Sequence, residues 1–155
     1  MQYRLRFTLI AISLLVLAGC AADKVSLDDD SQHSAAASAS IHWLLELELN
    51  PERAADFKVL MSEMVALAET QPGTLVYEWY FNEDKTRCII NERYQDSTAL
   101  IDHMEASGPY AERFIAASTI SRLTILGDVD AATRAALEAL EPSYLSIGEG
   151  FSRGR

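Results

Sequence analysis

From Ile41 to Leu49 the side chains alternate: Ile41, Trp43, Leu45, Leu47 and Leu49 fall on one side, His42, Leu44, Glu46 and Glu48 on the other. A period of two marks a strand. Asn50-Pro51-Glu52 comes next and reads as a helix start, with Asn as cap, Pro at the first position and an acid in the first turn. Ala54, Phe57, Met61, Met64 and Ala68, with Leu60 and Leu67 beside them, then recur at helical spacing until Gln71-Pro72-Gly73 stops the helix. Thr74 to Asn82 returns to strand, with Leu75, Tyr77, Trp79 and Phe81 on one face and Tyr80 on the other, under the helices. Glu83-Asp84-Lys85 turns the chain into a hairpin partner over Thr86 to Tyr94. Ser97 caps a short helix bearing Leu100, Ile101 and Met104; Pro109 opens another bearing Tyr110, Phe114 and Ile115; Thr119 to Leu126 is a fourth strand. The order β-α-β-β-α-β is the ferredoxin-like split βαβ plan of the α+β class. Asp130 to Leu140 adds an Ala-rich helix and Ser143 to Phe151 a short strand or tail, which would cover a sheet edge or reach a second subunit.

What precedes Ile41 is built differently. Arg4 and Arg6 lead into the uncharged run Phe7 to Ala18 and then Leu17-Ala18-Gly19-Cys20. A basic start, a short apolar run and small residues before a break are the parts of a secretory signal, and the run is too short to span about 30 Å of hydrocarbon. Leu-Ala-Gly-Cys resembles a bacterial lipobox. That resemblance implies a signal peptide over 1–19, lipidation of Cys20 and attachment to the membrane through acyl chains. Ala21 after the cysteine implies the outer membrane, facing the periplasm. Residues 20–40 are small, polar and acidic, a flexible linker. The domain proper occupies 41–127, and 128–155 extends it.

The 155 residues carry 13 basic and 23 acidic side chains, a formal net charge of −10. Nucleic-acid binding needs a basic stripe, so this balance argues against it. Hydrophobic residues at 49% suffice for a packed core. With two cysteines there is no disulfide framework; Cys88 reads as a small buried hydrophobe. Asp28-Asp29-Asp30 lacks the ligand spacing of a calcium loop, and His33 has no companion at metal-ligand spacing, so no metal site is expected.

Pro72-Gly73-Thr74-Leu75-Val76-Tyr77-Glu78-Trp79-Tyr80, then Glu92-Arg93-Tyr94, then Ala99-Leu100-Ile101-Asp102-His103-Met104 resemble the antibiotic biosynthesis monooxygenase (ABM) domains. The resemblance covers roughly Ile41 to Gly127. It implies a dimeric α+β barrel, in which two sheets pack face to face in a homodimer. It also implies a monooxygenase that oxidises a small aromatic or quinol-type ligand with dioxygen and without a cofactor. Both faces of the strands carry apolar groups, with Leu44 and Ile89 opposite the main stripe, and a partner sheet would cover the second face. The haem-degrading branch of the family uses an Asn, a Trp and a His. The matching places here hold Glu46 or Glu48, Tyr94, and Tyr110-Ala111-Glu112-Arg113-Phe114, so the resemblance does not extend to that activity.

Tyr77, Trp79 and Tyr94 are the candidate substrate-binding residues, although aromatic stripes on strands also serve simply as core. His103 is the candidate catalytic residue, because imidazole suits deprotonation of a phenol near neutral pH; a hydrogen bond at the helix edge is the other reading. Glu92 with Arg93, and Glu78 with Arg87, read as ion pairs across strands or as a solvated face. A non-catalytic, ligand-binding envelope lipoprotein that keeps the barrel as a dimerisation scaffold is the alternative to an enzyme.

Overall fold

The computed structural model describes residues 40–151. The signal over 1–19, Cys20, Asp28 to Asp30 and His33 lie outside the described residues. Strand β1 (Ile41–Leu49) is central, antiparallel to both β3 (Arg87–Tyr94) and β4 (Ser118–Leu126). β3 pairs in turn with β2 (Thr74–Phe81), and β5 (Ser143–Leu145) runs parallel to β4, giving the order β2-β3-β1-β4-β5. This is the ferredoxin-like α+β arrangement with one added strand.

The central position of β1 explains why its alternation is so regular. Ile41, Trp43, Leu45 and Leu47 are all buried in one core with Phe57, Leu60 and Met64 of helix α1 (Ala54–Glu69). Leu45 meets Ile90 on one side and Leu123 on the other. Helix α2 (Ser97–Ser107), a 3-10 turn at Gly108–Tyr110 and helix α3 (Ala111–Ala117) complete the cover, adding Leu100, Phe114 and Ala117 to the core. The start of α1 is as the sequence indicates: Asn50 Oδ1 accepts from the Glu52 amide at 3.0 Å, with Pro51 next. α2 is capped one residue earlier than Ser97 suggests, since Asp96 Oδ1 accepts from the Ala99 amide at 2.9 Å.

Strand β2 departs from the expected alternation. A register shift between Thr74 and Val76 leaves Leu75 unpaired and 46% exposed. Tyr77, Trp79 and Phe81 then face the helices, whereas Tyr80 lies on the opposite face and is 54% exposed, not beneath the helices. A residue count fixes which side chains alternate, but not which set a helix covers. The expected charge pairs also fall elsewhere. Glu92 and Arg93 sit on opposite faces, Arg87 lies 3.6 Å from Glu46, and Glu78 accepts from Tyr80 and Asn91.

The C-terminal segment packs on its own chain. Helix α4 (Ala131–Leu137) is capped by Asp130, whose carboxylate accepts from the Thr133 amide at 2.7 Å, and it buries Leu137 completely. β5 covers the outer edge of β4, where the Gly127 amide donates to Leu145 O at 2.9 Å. Gly127 has φ +106°, a conformation only glycine adopts without strain, and it turns the chain into this extension. Arg134 stacks over Tyr144 of β5, 4.0 Å from the ring centre.

Candidate active site

Between the sheet and helices α2 and α3 lies a cavity of about 190 Å³. Its floor is Trp43, Leu45, Tyr77, Ile90, Glu92 and Tyr94; His103, Met104, Tyr110 and Phe114 face them, Ser107 and Gly108 complete the wall, and Leu140 of the C-terminal extension closes one side. The wall is almost wholly apolar, with a few polar groups converging on it, which is the usual make-up of a small-molecule site.

The polar groups come from three elements. Glu92 and Tyr94 are two residues apart on β3, hence on one face, and the Tyr94 hydroxyl donates to Glu92 Oε2. His103, on α2, brings Nε2 to 3.9 Å from the same oxygen. Its ring centre is 5.1 Å from that of Tyr77 and 5.4 Å from that of Tyr94. Nδ1 lies 2.6 Å from Gln71 Oε1, an atom that can only accept. The neutral ring therefore carries its proton on Nδ1 and offers the Nε2 lone pair, with Ser107 Oγ at 3.2 Å. Gln71 reaches this place because the turn after α1 is pressed onto α2: a Cβ built on Gly73 would stand 2.5 Å from Ala99 Cβ.

Burial governs the charges. Desolvation pushes the Glu92 carboxyl up to about 8 despite the Tyr94 hydrogen bond, and lowers the His103 imidazole to about 4. At neutral pH the carboxyl is largely protonated and the imidazole neutral. Tyr77 and Tyr94 are raised above the ordinary phenol range, first by burial and then by the charge of Glu92, so both remain donors.

Of the residues singled out in the sequence, Tyr77, Tyr94 and His103 come together around the cavity. Trp79 does not border it. Its ring packs 5.6 Å from Phe57 and 5.9 Å from Tyr77, in an aromatic cluster with Phe114. Cys88 is buried and unpaired, its thiol pushed up to about 11 by desolvation. In the sequence Glu92 reads only as a charge paired with Arg93 or solvated, and Trp43 and Gln71 carry no site role. The signal for Glu92 was in the alternation, since it shares parity with Cys88, Ile90 and Tyr94 and is only 4% exposed. Among the described residues no group of three or more His, Cys, Asp or Glu is placed to hold a metal ion, and no helix is long and apolar enough to cross a membrane.

A ferredoxin-like sheet with a ligand-sized cavity between its helices and its inner face defines the class of the molecule. Residues 40–117 match the antibiotic biosynthesis monooxygenase family, and the chain belongs to that family. Among solved structures it resembles MupZ from Pseudomonas fluorescens, at 20% identity over 74% of this chain and 95% of that one, with a TM-score of 0.68. Rv0793 from Mycobacterium tuberculosis is similar at 19% identity over 61% and 99%, with a TM-score of 0.52. SnoaB from Streptomyces nogalater, a cofactor-independent oxygenase, is similar at 16% identity over 59% and 95%, also with a TM-score of 0.52. Identities this low show a shared fold. No curated protein matches the chain.

Proposed function

We propose that the protein is a monooxygenase that oxidises a small aromatic or quinol-type ring compound with dioxygen, using its own side chains and no cofactor. The observation that carries this reading is a histidine whose unprotonated nitrogen, Nε2, accepts from Ser107 Oγ at the wall of a ring-sized apolar cavity, in a chain of the ABM family. The SnoaB likeness adds support of the same kind.

The geometry suggests the steps. A phenolic substrate lies against the aromatic wall with its hydroxyl towards His103 Nε2, which takes the proton. Gln71 steadies the imidazolium through Nδ1–H. The phenolate is electron-rich enough to pass an electron to dioxygen, and the resulting pair joins to form a C–O bond on the ring. Loss of water then leaves a quinone. A phenol and one dioxygen give a quinone and one water: one oxygen atom enters the product, the other leaves as water, and the substrate supplies all four electrons. The protein binds, orients and deprotonates.

Oxygen uptake by the purified, metal-stripped chain with hydroxylated aromatics tests this. Saturable uptake that resists chelators and falls at least a hundredfold in His103→Ala is expected. Uptake unaffected by that change would overturn the role of His103. A chain that binds such compounds and consumes no oxygen is the ligand-binding envelope protein instead.

We also propose that Cys20 is lipidated and holds the protein on the bacterial outer membrane, facing the periplasm. Support comes from Leu17-Ala18-Gly19-Cys20 and the tether beyond it. Cys20→Ser is expected to move the chain from the membrane to the soluble fraction on cell fractionation. A homodimer is the third element of the reading. Leu44, Val76, Ile89 and Leu126 line up on the outer face of the sheet, the face away from the helices, where a second sheet would cover them.

A further inference from the structure

Among the described residues nine large apolar side chains are exposed, and three of them, Leu145, Ile147 and Phe151, fall within seven consecutive positions. Leu145 is 55% exposed, Ile147 71% and Phe151 81%. The residues between them, Ser146, Gly148, Glu149 and Gly150, are small or charged and give these side chains no cover. A single exposed apolar side chain is ordinary, whereas a run of them marks a surface that meets something.

Topology decides which end of the molecule carries this run. β5 is parallel to β4, and β1 is antiparallel to β4, so β5 finishes at the end of the sheet where β1 starts. The local contacts agree. The Gly127 amide donates to Leu145 O, a Cβ built on Gly127 would stand 3.0 Å from Ser40 O, and Ser146 Oγ donates to Asp128 Oδ1 at 3.1 Å. Ser40 is the first described residue, and the sequence before it leads back to Cys20. The exposed run and the point where the chain departs for Cys20 therefore share one end of the sheet.

Charge and length favour lipid as the occupant. The whole chain has a formal charge of −10, yet residues 143–155 hold one acid, Glu149, and two bases, Arg153 and Arg155. Apolar side chains with arginines beside them suit a lipid interface, where the arginines meet anionic headgroups that repel the acidic remainder. Twenty residues of a composition like that of 21–40 reach about 25 Å on average. A chain held by so short a link meets the surface at an effective concentration on the order of millimolar, so a weak contact is enough to be occupied.

We propose that residues 145–151 form a second membrane contact, in which Leu145, Ile147 and Phe151 enter the headgroup region of the lipid surface that Cys20 anchors the chain to. The contact rests on the reading of Cys20 as lipidated. It adds an orientation to that anchor: the end of the sheet where β1 starts faces the membrane, and helix α1 stands clear of it.

The test uses the full chain carrying Ile147→Cys, purified from bacterial membranes, labelled with an environment-sensitive dye and reconstituted into vesicles of phosphatidylethanolamine and phosphatidylglycerol. Cys88 is buried, so the dye goes to position 147. Lys58→Cys, at an exposed position of α1, serves as the control. Mass spectrometry of the same samples reads the state of Cys20. With Cys20 acylated, the dye at position 147 is expected to shift to the blue and to lose at least half its emission when nitroxide-labelled lipid is included. The dye at position 58 is expected to lose less than a tenth. An acylated chain with no quenching at position 147 would overturn this inference and leave the anchor standing. Equal quenching at both positions would overturn it too, since the chain would then have no preferred face. A blue shift without nitroxide quenching would assign the segment to a second copy of the chain instead. Unmodified Cys20 would overturn the anchor, and the second contact with it.

Discussion

Glu92 and His103 make opposite contributions to stability as pH changes. Between 4.5 and about 8 the folded chain keeps a proton on Glu92 that the unfolded chain has released, so stability falls as pH rises through that window. His103 does the reverse: between about 4 and 6.5 the folded chain has shed a proton that the unfolded chain keeps, so stability is lost as pH falls through it. The two nearly cancel from 4.5 to 6.5, and above 6.5 the carboxyl acts alone. Glu92→Gln should therefore gain on wild type between pH 6.5 and 8, by on the order of 2 kcal/mol; urea melts of both proteins at the two pH values measure it. A constant difference would mean that Glu92 ionises as an exposed carboxylate does. Gln71 is tested by nitrogen NMR of the His103 ring. Gln71→Leu removes the acceptor at Nδ1, and the proton should redistribute between the two nitrogens, whereas wild type should show Nδ1–H alone. An unchanged spectrum would show that Gln71 does not set the tautomer.

At the scale of elements, the turn between α1 and β2 is the piece that joins fold to site. Gly73 lets it touch α2, and Gln71 is thereby carried into range of His103. Gly73→Ala should cost about 1–3 kcal/mol through the overlap with Ala99 Cβ. Adding Ala99→Gly should recover part of that loss despite the helix penalty of glycine. Thermal melts of the two single variants and the double variant decide it; simple additivity would mean that the contact is not the cause. The elements themselves were legible because each rests on local rules: the alternation of β1, the Asn50-Pro51 start of α1, the Pro72-Gly73 stop. What was not legible depended on the third dimension. Nothing local says that Tyr80 faces away from the helices while Trp79 faces them, or that the bulge at Leu75 intervenes. Glu92 looked like a surface acid paired with Arg93 because charge is usually solvated. Only its parity with Cys88, Ile90 and Tyr94 marked it as buried. His103 and Gln71 are 32 residues apart in sequence, and no spacing rule connects them.

For the whole molecule, the described residues leave the sheet with one face under helices and one without them. The uncovered face is mixed, with Ile89 41% exposed beside Leu44 and an arginine pair, Arg87 and Arg122, on either side of Glu46. Covering such a face with a second copy would bury the apolar residues and let the charged ones form its rim. Sedimentation should then give a dimer for the wild type and a monomer for Ile89→Glu with an unchanged circular dichroism spectrum. A wild-type monomer at tens of micromolar would rule the paired sheets out. The extension is equally part of the whole, since Leu140 stands in the cavity wall and Leu137 is buried in the core.

The proposed oxygenase activity requires that an oxygen atom from dioxygen be placed on a ring held in the cavity. It is tested most directly by a turnover with methylhydroquinone under ¹⁸O₂, with the product analysed by mass spectrometry. The expected product is a hydroxylated quinone carrying one labelled oxygen atom, with the second label in water and a rate that collapses in His103→Ala. Unlabelled quinone accompanied by hydrogen peroxide, at a rate indifferent to His103, would contradict it.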